Sequence, residues 1–368
     1  MLDGINIFLT RKCNLRCPYC FVNKEGGKHM SLKTREQTLS FIISNLDLSS
    51  PRTHIGYIGG EPLVAYDNFQ FFTEKLKQIN PKLNIGFTTN GVLLTEKRCE
   101  YILRHNLRTV VSMDGDRGAM EYRTTKNGIV VYDQVVKTIE LLKKNHANFL
   151  VQMTVTPDNA HNLLHNVKSI AALGVETILT GFVYEASWSQ EQLSVLSNEL
   201  NRLFSWYYHI YSEKKNLKLR YIDNEVVSYL LYLSGKKCDS TSCPIAEKVA
   251  AVDVDGIIIP CQAFVDMPEW SVGTVKQGID KRKQLLLHAS SDFISCNACN
   301  LQGFCRKCPR CNYLICGDMN AANPVSCRIN KDFFSNLKWF TEILIQEGNE
   351  RFLSEYGYLL DDKLKTMQ

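Results

Sequence analysis

Three cysteines lie close together near the start of the chain, in the segment Cys13-Asn-Leu-Arg-Cys17-Pro-Tyr-Cys20. Three thiolates on one loop can bind three irons of a four-iron cluster and leave the fourth iron without a protein ligand. An iron of this kind can bind a substrate, whereas a cluster with four cysteine ligands is suited to electron transfer. A zinc site or a purely structural cluster is the alternative interpretation of this spacing.

Three short glycine-containing motifs follow in order along the chain. They are Gly59-Gly60-Glu61-Pro62, Thr89-Asn90-Gly91 and Ser112-Met113-Asp114-Gly115. Each motif comes directly after a predicted strand, as the cysteine segment does, and in parallel barrels the loops at the carboxyl ends of the strands carry the chemistry. Any one motif could be an ordinary glycine turn. Their order behind the cysteine spacing favours one shared site.

Through this cysteine spacing and these motifs, the chain resembles the radical SAM superfamily. The resemblance implies that Cys13, Cys17 and Cys20 bind a four-iron cluster whose open iron chelates the amino and carboxylate groups of S-adenosylmethionine (SAM). It also implies that an electron from the cluster breaks a carbon–sulfur bond of SAM and yields the 5′-deoxyadenosyl radical. A non-catalytic iron–sulfur electron carrier is the alternative from another class, although a carrier needs no cofactor pocket.

The same resemblance implies which residues contact SAM. The matching positions are Tyr19, Gly59, Gly60, Glu61, Asn90, Ser112, Asp114 and Arg123. Tyr19 would pack near the adenine, and the backbone of Gly59–Glu61 would contact the methionyl amino group, since side chains there would block close approach. Ser112 would bind the ribose or the carboxylate. Arg123 would bind the carboxylate, because a guanidinium suits a bidentate contact. A surface salt bridge is the alternative for Arg123, and an Asp-Gly turn is the alternative for Asp114.

Ten of the fourteen cysteines lie between residues 238 and 327. The segments Gly256-Ile-Ile-Ile-Pro-Cys261 and Cys296-Asn-Ala-Cys299 resemble parts of the C-terminal SPASM extension, which is found in radical SAM enzymes that modify peptides. The resemblance implies two auxiliary four-iron clusters. The ligands of the first would be Cys238, Cys243, Cys261 and Cys308. The ligands of the second would be Cys296, Cys299, Cys305 and Cys327.

The second cysteine region leaves alternatives open. Cys308 follows Cys305 after two residues where the family usually has three, so Cys311 or Cys316 could replace Cys308 as the fourth ligand. A zinc ribbon is the alternative for the 296–316 run, because its paired cysteines look similar. A cysteine left over could be a small buried residue. It could also donate a hydrogen atom to a substrate radical, which would make the protein a peptide epimerase. Cys99 is predicted to be a core residue.

The elements that must position these loops alternate between short apolar runs and helical periodicity. The predicted strands are 5–9, 54–58, 84–88, 109–112, 149–155 and 176–180, and the predicted helices are 32–46, 67–79, 96–105, 132–145 and 162–173. This alternation indicates right-handed βαβ units and a parallel sheet. The predicted fold class is therefore α/β, a partial (β/α)6 TIM-like barrel with a C-terminal cysteine-rich iron–sulfur domain. A hairpin with its turn at Asp255-Gly256 is predicted to carry Cys261.

The predicted domain organisation has four parts. They are a barrel over 1–185, a helical linker over 186–235, the SPASM domain over 236–330 and a C-terminal helix over 331–368. Hydrophobic residues make up 45% and charged residues 22% of the chain, which is typical of a globular protein. The net charge of +5 is spread without a long basic block, so nucleic-acid binding is not indicated.

The expected location is the cytoplasm. The short apolar stretch at the N-terminus lacks the features of a signal peptide, and no apolar run is long enough to span a bilayer. In a reducing compartment, clustered cysteines indicate metal or redox chemistry rather than disulfides.

The resemblance implies a peptide or protein substrate and a low-potential electron donor of flavodoxin or ferredoxin type. A thioether or carbon–carbon crosslink in a ribosomally made peptide is the favoured modification. Anaerobic sulfatase-maturing enzymes are the main alternative, but they commonly have an aspartate base after the cysteine that matches Cys261, and this chain has the neutral Gln262. With twelve residues before Cys13, substrate recognition would use the barrel mouth, the 186–235 helices or a separate peptide-recognition protein. Glu185, Asp223 and Glu225 are unassigned candidates for a base.

Overall fold

The computed structural model describes residues 2–235, 243, 245–288, 296, 299–301, 305 and 307–360. The strands are β1 Gly4–Thr10, β2 His54–Gly59, β3 Asn84–Thr89, β4 Arg108–Ser112, β5 Phe149–Val155, β6 Thr177–Phe182, β7 Lys218–Leu219, β8 Val249–Val252, β9 Ile257–Ile259, β10 Gly273–Thr274 and β11 Gly278–Ile279. The helices are α1 Leu32–Asn45, α2 Tyr66–Ile79, α3 Glu96–Arg104, α4 Tyr132–Lys144, α5 Leu163–Ala172, α6 Gln190–Ser212, α7 Arg220–Leu233, α8 Lys281–His288, α9 Pro309–Cys316, α10 Pro324–Gln346 and α11 Glu350–Tyr356.

The six predicted strands and their five helices are all present. The largest difference in bounds is at β6, which was expected over 176–180 and extends over Thr177–Phe182. The agreement follows from periodicity, because strands covered on both faces consist almost entirely of apolar residues. Ile7, Phe8 and Leu9 of β1, for example, are completely buried.

The chain forms two compact units, and the boundary between them falls within β5. The first contains Met1–Met113, Arg117–Val151 and Pro244–Ala289, and the second contains Asp114–Asp116, Gln152–Cys243 and Ser290–Gln368. The expected domain boundary at residue 236 separated the β8–β11 segment from the first strands. In the structure this segment belongs to the first unit, because β8 pairs in parallel with β1.

In the first unit the strand order is β11-β10-β9-β8-β1-β2-β3-β4. Neighbouring strands from β1 to β4 are parallel, and β8 to β11 are joined by antiparallel pairing. The predicted hairpin is present as β8 and β9. Gly256 takes a φ of 79° in its turn, a conformation that glycine adopts without a steric penalty.

The second unit has a helical core built on aromatic side chains. Helix α6 begins at a capping box in which Ser189 and Gln192 satisfy each other's backbone N–H groups. The Phe204 ring of α6 packs edge-on against the Phe333 ring of α10, with 5.2 Å between the ring centroids. Tyr207 stacks on Phe340, with 5.5 Å between centroids. The expected helical linker over 186–235 contains α6 and α7. The described part of the expected C-terminal helix over 331–368 contains the end of α10 and all of α11, and residues 361–368 lie outside the described residues. No helix among the described residues is long and apolar enough to cross a membrane.

Asp223 lies inside this aromatic core. Its Oδ1 accepts a hydrogen bond from the Tyr207 hydroxyl at 2.8 Å. Its Oδ2 has no hydrogen-bond partner among the described residues. Burial, which disfavours the charged form, raises the pKa of Asp223 to about 6.

We expect Asp223→Asn to stabilise the protein above the Asp223 pKa. The folded wild type keeps a proton that the unfolded chain releases, so its stability falls as pH rises from about 4 to about 6. Asparagine removes this loss, and the free energy of unfolding at about pH 7.5 should rise by about 1–3 kcal/mol. Urea unfolding at about pH 5 and pH 7.5 tests the effect. The exposed Asp158→Asn should change the free energy of unfolding by less than about 0.5 kcal/mol. Equal pH slopes for wild type and Asp223→Asn would contradict the prediction.

Candidate functional site

The cysteine loop begins where β1 ends. The completely buried Thr10 accepts the Lys12 backbone N–H through its hydroxyl at 3.0 Å, and buried Leu15 anchors the loop to the core. Cys13, Cys17 and Cys20 are each partly exposed. Burial raises the pKa of Cys13 to about 11, so a metal must displace the proton from this thiol. The loop therefore presents three reduced sulfurs that a metal cluster can reach.

Gly59 and Gly60 allow the end of β2 to pack against this loop. The backbone N–H of Gly60 donates to Thr10 O at 2.9 Å, and that of Glu61 donates to Lys12 O at 3.0 Å. A Cβ on Gly59 would lie 2.2 Å from Thr10 O, and a Cβ on Gly60 would lie 2.3 Å from Lys12 O. Gly59 also has a φ of 151°. The two glycines are thus required by the protein's own packing. The N–H groups of Gly60 and Glu61 already donate to the backbone of the cysteine loop.

The Glu61 side chain holds the ends of β2 and β3 together. Its Oε1 accepts from Leu63 N at 3.1 Å and from the Thr89 hydroxyl at 2.9 Å, and its Oε2 accepts from Asn90 N at 2.7 Å. Burial raises the pKa of Glu61 to about 7, while these hydrogen bonds favour the ionised form. The carboxylate is 1% exposed, so its role in the structure is to position neighbouring loops.

Asn90 connects the Thr89-Asn90-Gly91 motif to the cysteine loop. Its Nδ2 donates to Asn14 Oδ1 at 2.8 Å and lies 3.8 Å from Cys13 Sγ. Its Oδ1 accepts from Val92 N at 3.1 Å. Asn14 is not among the site residues expected from the sequence. Its position directly after Cys13 is the sequence feature that could have indicated it.

Tyr19 and Arg123 lie against each other. The Arg123 guanidinium carbon is 5.5 Å from the centre of the Tyr19 ring, a cation–π contact. Arg123 is 6% exposed, so it is not the surface residue that the alternative interpretation required. Two of the positions expected to contact SAM are therefore brought together beside the cysteine loop, although they are far apart in sequence.

Ser112 and Asp114 differ in accessibility. Ser112 ends β4 and is partly exposed. Asp114 is fully buried, and its Oδ1 accepts from Thr154 N at 2.9 Å within the second unit. This bond gives the Asp114 carboxylate a structural role, and a SAM contact for either residue stays a prediction.

In the second unit, four cysteines line one cavity. They are Cys296, Cys299, Cys305 and Cys327, the same four that were expected to bind the second auxiliary cluster. Asn330 Nδ2 donates to Cys305 Sγ at 3.4 Å, and Lys307 and Lys331 also line the cavity. Amide donors and ammonium groups stabilise thiolates, so the lining suits a thiolate-bound metal centre.

The cysteines that follow Cys305 form a second group. Cys308 caps the N-terminus of α9, and a hydrogen bond from the Cys311 thiol lowers the pKa of Cys308 to about 7. Buried Cys311 also lies 3.4 Å from Glu185 Oε2, and Glu185 Oε1 pairs with Arg310 at 2.6 Å. Cys316 is exposed. Cys308 and Cys311 thus lie together, and Glu185 is occupied by two partners.

The remaining positions are placed as follows. Cys238 lies outside the described residues, and Cys243 is partly exposed. Cys261 follows β9, and the next residue, Gln262, accepts a hydrogen bond from Asn6 Nδ2 of β1 at 2.6 Å. Glu225 is 1% exposed, and Cys99 is buried as predicted. No group of three or more His, Cys, Asp or Glu side chains in the described parts of the chain is arranged to hold a single metal ion.

The donor set fits a cluster of several irons better than one ion at the cysteine loop. Each iron of such a cluster takes one cysteine sulfur, so the sulfurs need not converge on a point. The three cysteine thiols would provide the ligands, and the Asn90 amide provides a donor toward the sulfur of Cys13. The two glycines hold this loop against the end of β2.

A family model described as "Radical SAM superfamily" matches residues 7–170. An uncharacterised protein of Methanocaldococcus jannaschii is 30% identical over 212 residues, which cover 56% of this chain and 72% of that protein. A cysteine-type anaerobic sulfatase-maturating enzyme of Clostridium perfringens is 24% identical over 330 residues, which cover 80% of this chain and 86% of the enzyme.

A solved structure, native anSMEcpe with bound AdoMet and Cp18Cys peptide, has a TM-score of 0.78 at 20% identity and covers 93% of this chain and 99% of its own. This likeness shows the fold. The predicted fold class, an open, mostly parallel α/β sheet of the partial-barrel type followed by a cysteine-rich C-terminal region, is confirmed.

Proposed function

The chain belongs to the radical SAM superfamily and is an enzyme, and from that premise we propose that it modifies a peptide or protein after translation. Membership implies a four-iron cluster and SAM. When bound together, they supply a 5′-deoxyadenosyl radical that abstracts hydrogen. The observation that carries the proposal is a pair of contacts at the cysteine loop. The Asn90 amide contacts the Cys13 sulfur, and the Arg123 guanidinium lies over the Tyr19 ring.

Different residues of the first unit would bind the cluster and SAM. Cys13, Cys17 and Cys20 would hold the cluster, and Asn90 would keep the Cys13 side of the loop in place. The N–H groups of Gly60 and Glu61 serve the loop itself, so backbone carbonyls are the groups left for a methionyl amino group. Arg123 would bind the SAM carboxylate while Tyr19 packs on its guanidinium face.

The auxiliary cysteines would bind two further clusters. Cys296, Cys299, Cys305 and Cys327 would hold one, since they line one cavity with Asn330 directed at Cys305. Cys238, Cys243 and Cys261 would hold the other. Its fourth ligand would be Cys308, because the Cys308 thiol ionises more readily than the neighbouring Cys311 thiol. Clusters in these positions would accept the electron that the substrate radical loses as it becomes product, or they would bind the substrate.

A crosslink in a ribosomally made peptide is the modification we favour. Gln262 follows Cys261 and is neutral, so it cannot take up the proton that formylglycine formation releases. Its side chain is also engaged with Asn6. Support for a peptide substrate in general comes from the similar fold of anSMEcpe, which was solved with a bound Cp18Cys peptide.

Sulfatase maturation is the second candidate. The observation in its favour is the similarity to the Clostridium perfringens maturating enzyme along 86% of that enzyme. Epimerisation is a third outcome, and it would draw on a spare thiol such as Cys311, beside Glu185. The products of the three reactions differ in composition, so one assay separates them.

The assay uses the anaerobically reconstituted enzyme with short cysteine-rich or aromatic-rich peptides encoded beside the gene, and with a cysteine-containing sulfatase peptide. We expect one of the peptides encoded beside the gene to lose two hydrogen atoms while 5′-deoxyadenosine forms. Replacement of a cysteine sulfur by a carbonyl oxygen in the sulfatase peptide would support maturation instead. Uptake of one solvent deuterium without other change would support epimerisation. If no peptide or protein raises 5′-deoxyadenosine formation above the peptide-free rate, the proposal fails.

A further inference from the structure

A basic surface cavity lies beside the cysteine loop. It has a volume of about 560 Å³ and is lined by two arms of the loop, residues 12–14 with 16 and residues 24–27, together with Val64 and Lys126. Cys13 is the one cysteine of the loop that contributes to its wall, and Cys17, Cys20 and Tyr19 are not part of it. The cavity therefore reaches one of the three thiols that would bind the cluster.

The cavity is strongly cationic. Lys12, Arg16, Lys24 and Lys126 line it, and Glu25 is its single carboxylate. Lys12, Arg16 and Lys126 are exposed, and Lys24 donates to Leu15 O at 3.4 Å. Like charges kept together in this way raise the local potential and attract an acidic partner.

These charges are not compensated within the described residues. None of the ion pairs found there includes Lys12, Arg16, Lys24 or Lys126. Neighbouring cations behave differently. Arg11 pairs with Asp253 and Asp266, and Lys28 pairs with Asp255 at 2.7 Å. Within residues 11–28, the cations that line the cavity therefore form no ion pair with a described residue, whereas Arg11 and Lys28 beside them do.

We propose that this cavity is the docking site of an acidic electron-donor protein of flavodoxin or ferredoxin type. The inference rests on the proposed function, since a cluster bound by Cys13 must receive an electron from outside. Each docking event would oxidise the donor by one electron and reduce the cluster by one, with no atom transferred. Cys13 lies in the wall, so a donor docked there would lie close to a cluster bound by Cys13. Exposed complementary charges of this kind speed association and make it dependent on salt.

The test compares two variants that each lose three positive charges. Lys12→Gln/Arg16→Gln/Lys126→Gln neutralises exposed side chains of the cavity and leaves Lys24, which bonds to the loop backbone, in place. Lys75→Gln/Lys97→Gln/Lys137→Gln neutralises exposed lysines on α2, α3 and α4. Cluster reduction is followed by loss of visible absorbance with reduced flavodoxin, with reduced ferredoxin, and with photoreduced deazaflavin, which is small and uncharged.

We expect the cavity variant to lower the second-order rate constant with flavodoxin or ferredoxin by about 10-fold or more at low salt. The difference should shrink as salt rises, and the rate with deazaflavin should not change. The helix variant should behave as wild type. Equal protein-donor rates in wild type and the cavity variant would overturn the proposal. So would an equal loss in both variants, or a parallel loss with deazaflavin.

Chemical crosslinking separates failure of docking from failure of the proposed function. Carbodiimide coupling of flavodoxin carboxylates to the lysines of this protein does not require SAM cleavage. Crosslinks mapped to Lys12, Lys24 or Lys126 support the site even if no substrate is found. Crosslinks confined to lysines elsewhere, or displaced by an acidic peptide that is itself a substrate, would overturn the assignment.

Discussion

Replacing Cys13, Cys17 and Cys20 together by alanine is expected to abolish 5′-deoxyadenosine formation. The loop then has no sulfur to hold the cluster that contacts SAM, so dithionite-driven cleavage should fall to the background of the enzyme-free reaction. Iron content should fall from about twelve to about eight atoms per chain, because the two proposed auxiliary clusters would be bound by cysteines outside this loop. Iron, sulfide and 5′-deoxyadenosine are measured on the same anaerobic preparations.

A matched control uses the buried cysteine of the same unit. Cys99 is 1% exposed in α3, and Cys99→Ala should keep full iron content and SAM cleavage while costing some stability. Persistent 5′-deoxyadenosine formation in the triple variant would remove the loop from the mechanism. Zinc in place of iron in the wild type would support a zinc scaffold.

The second large effect is expected for Gly60→Ala, a change of one methyl group outside the cysteine loop. The new Cβ would lie 2.3 Å from Lys12 O and 2.7 Å from Arg11 O, and both are backbone atoms that can move only with the loop. The hydrogen bonds from Gly60 and Glu61 to Thr10 and Lys12 would be lost or distorted. Overpacking of this kind costs about 1–3 kcal/mol or more.

We expect Gly60→Ala to lose the iron of this site and to reduce SAM cleavage by about 100-fold, a loss equivalent to about 2.7 kcal/mol. Gly181→Ala is the matched control, since a Cβ there has nothing within 4 Å. Thermal unfolding and iron analysis of both variants decide the matter. Wild-type iron content and cleavage in Gly60→Ala would show that the loop tolerates displacement and that the close packing is not required.

Much of this protein is determined by local sequence. The strands and helices from β1 to β6 follow from apolar periodicity, because the strands are buried on both faces and the helices on one. The hairpin of β8 and β9 follows from Asp255-Gly256, because the turn needs a residue that adopts positive φ. The cysteine spacing indicates an iron–sulfur loop for a similar reason, since its ligands lie within one short segment.

Only the tertiary structure decided which distant residues meet. The Glu61 carboxylate accepts hydrogen bonds from Leu63, Thr89 and Asn90, and no spacing along the sequence predicts these three partners. The parallel pairing of β8 with β1 is equally non-local, and it moves the segment carrying Cys261 into the first unit. Charge compensation has the same origin. Arg11 and Lys12 are adjacent in sequence, yet the fold brings two carboxylates to Arg11 and none of the described carboxylates into an ion pair with Lys12. Ion pairs depend on distances between side chains that only folding sets.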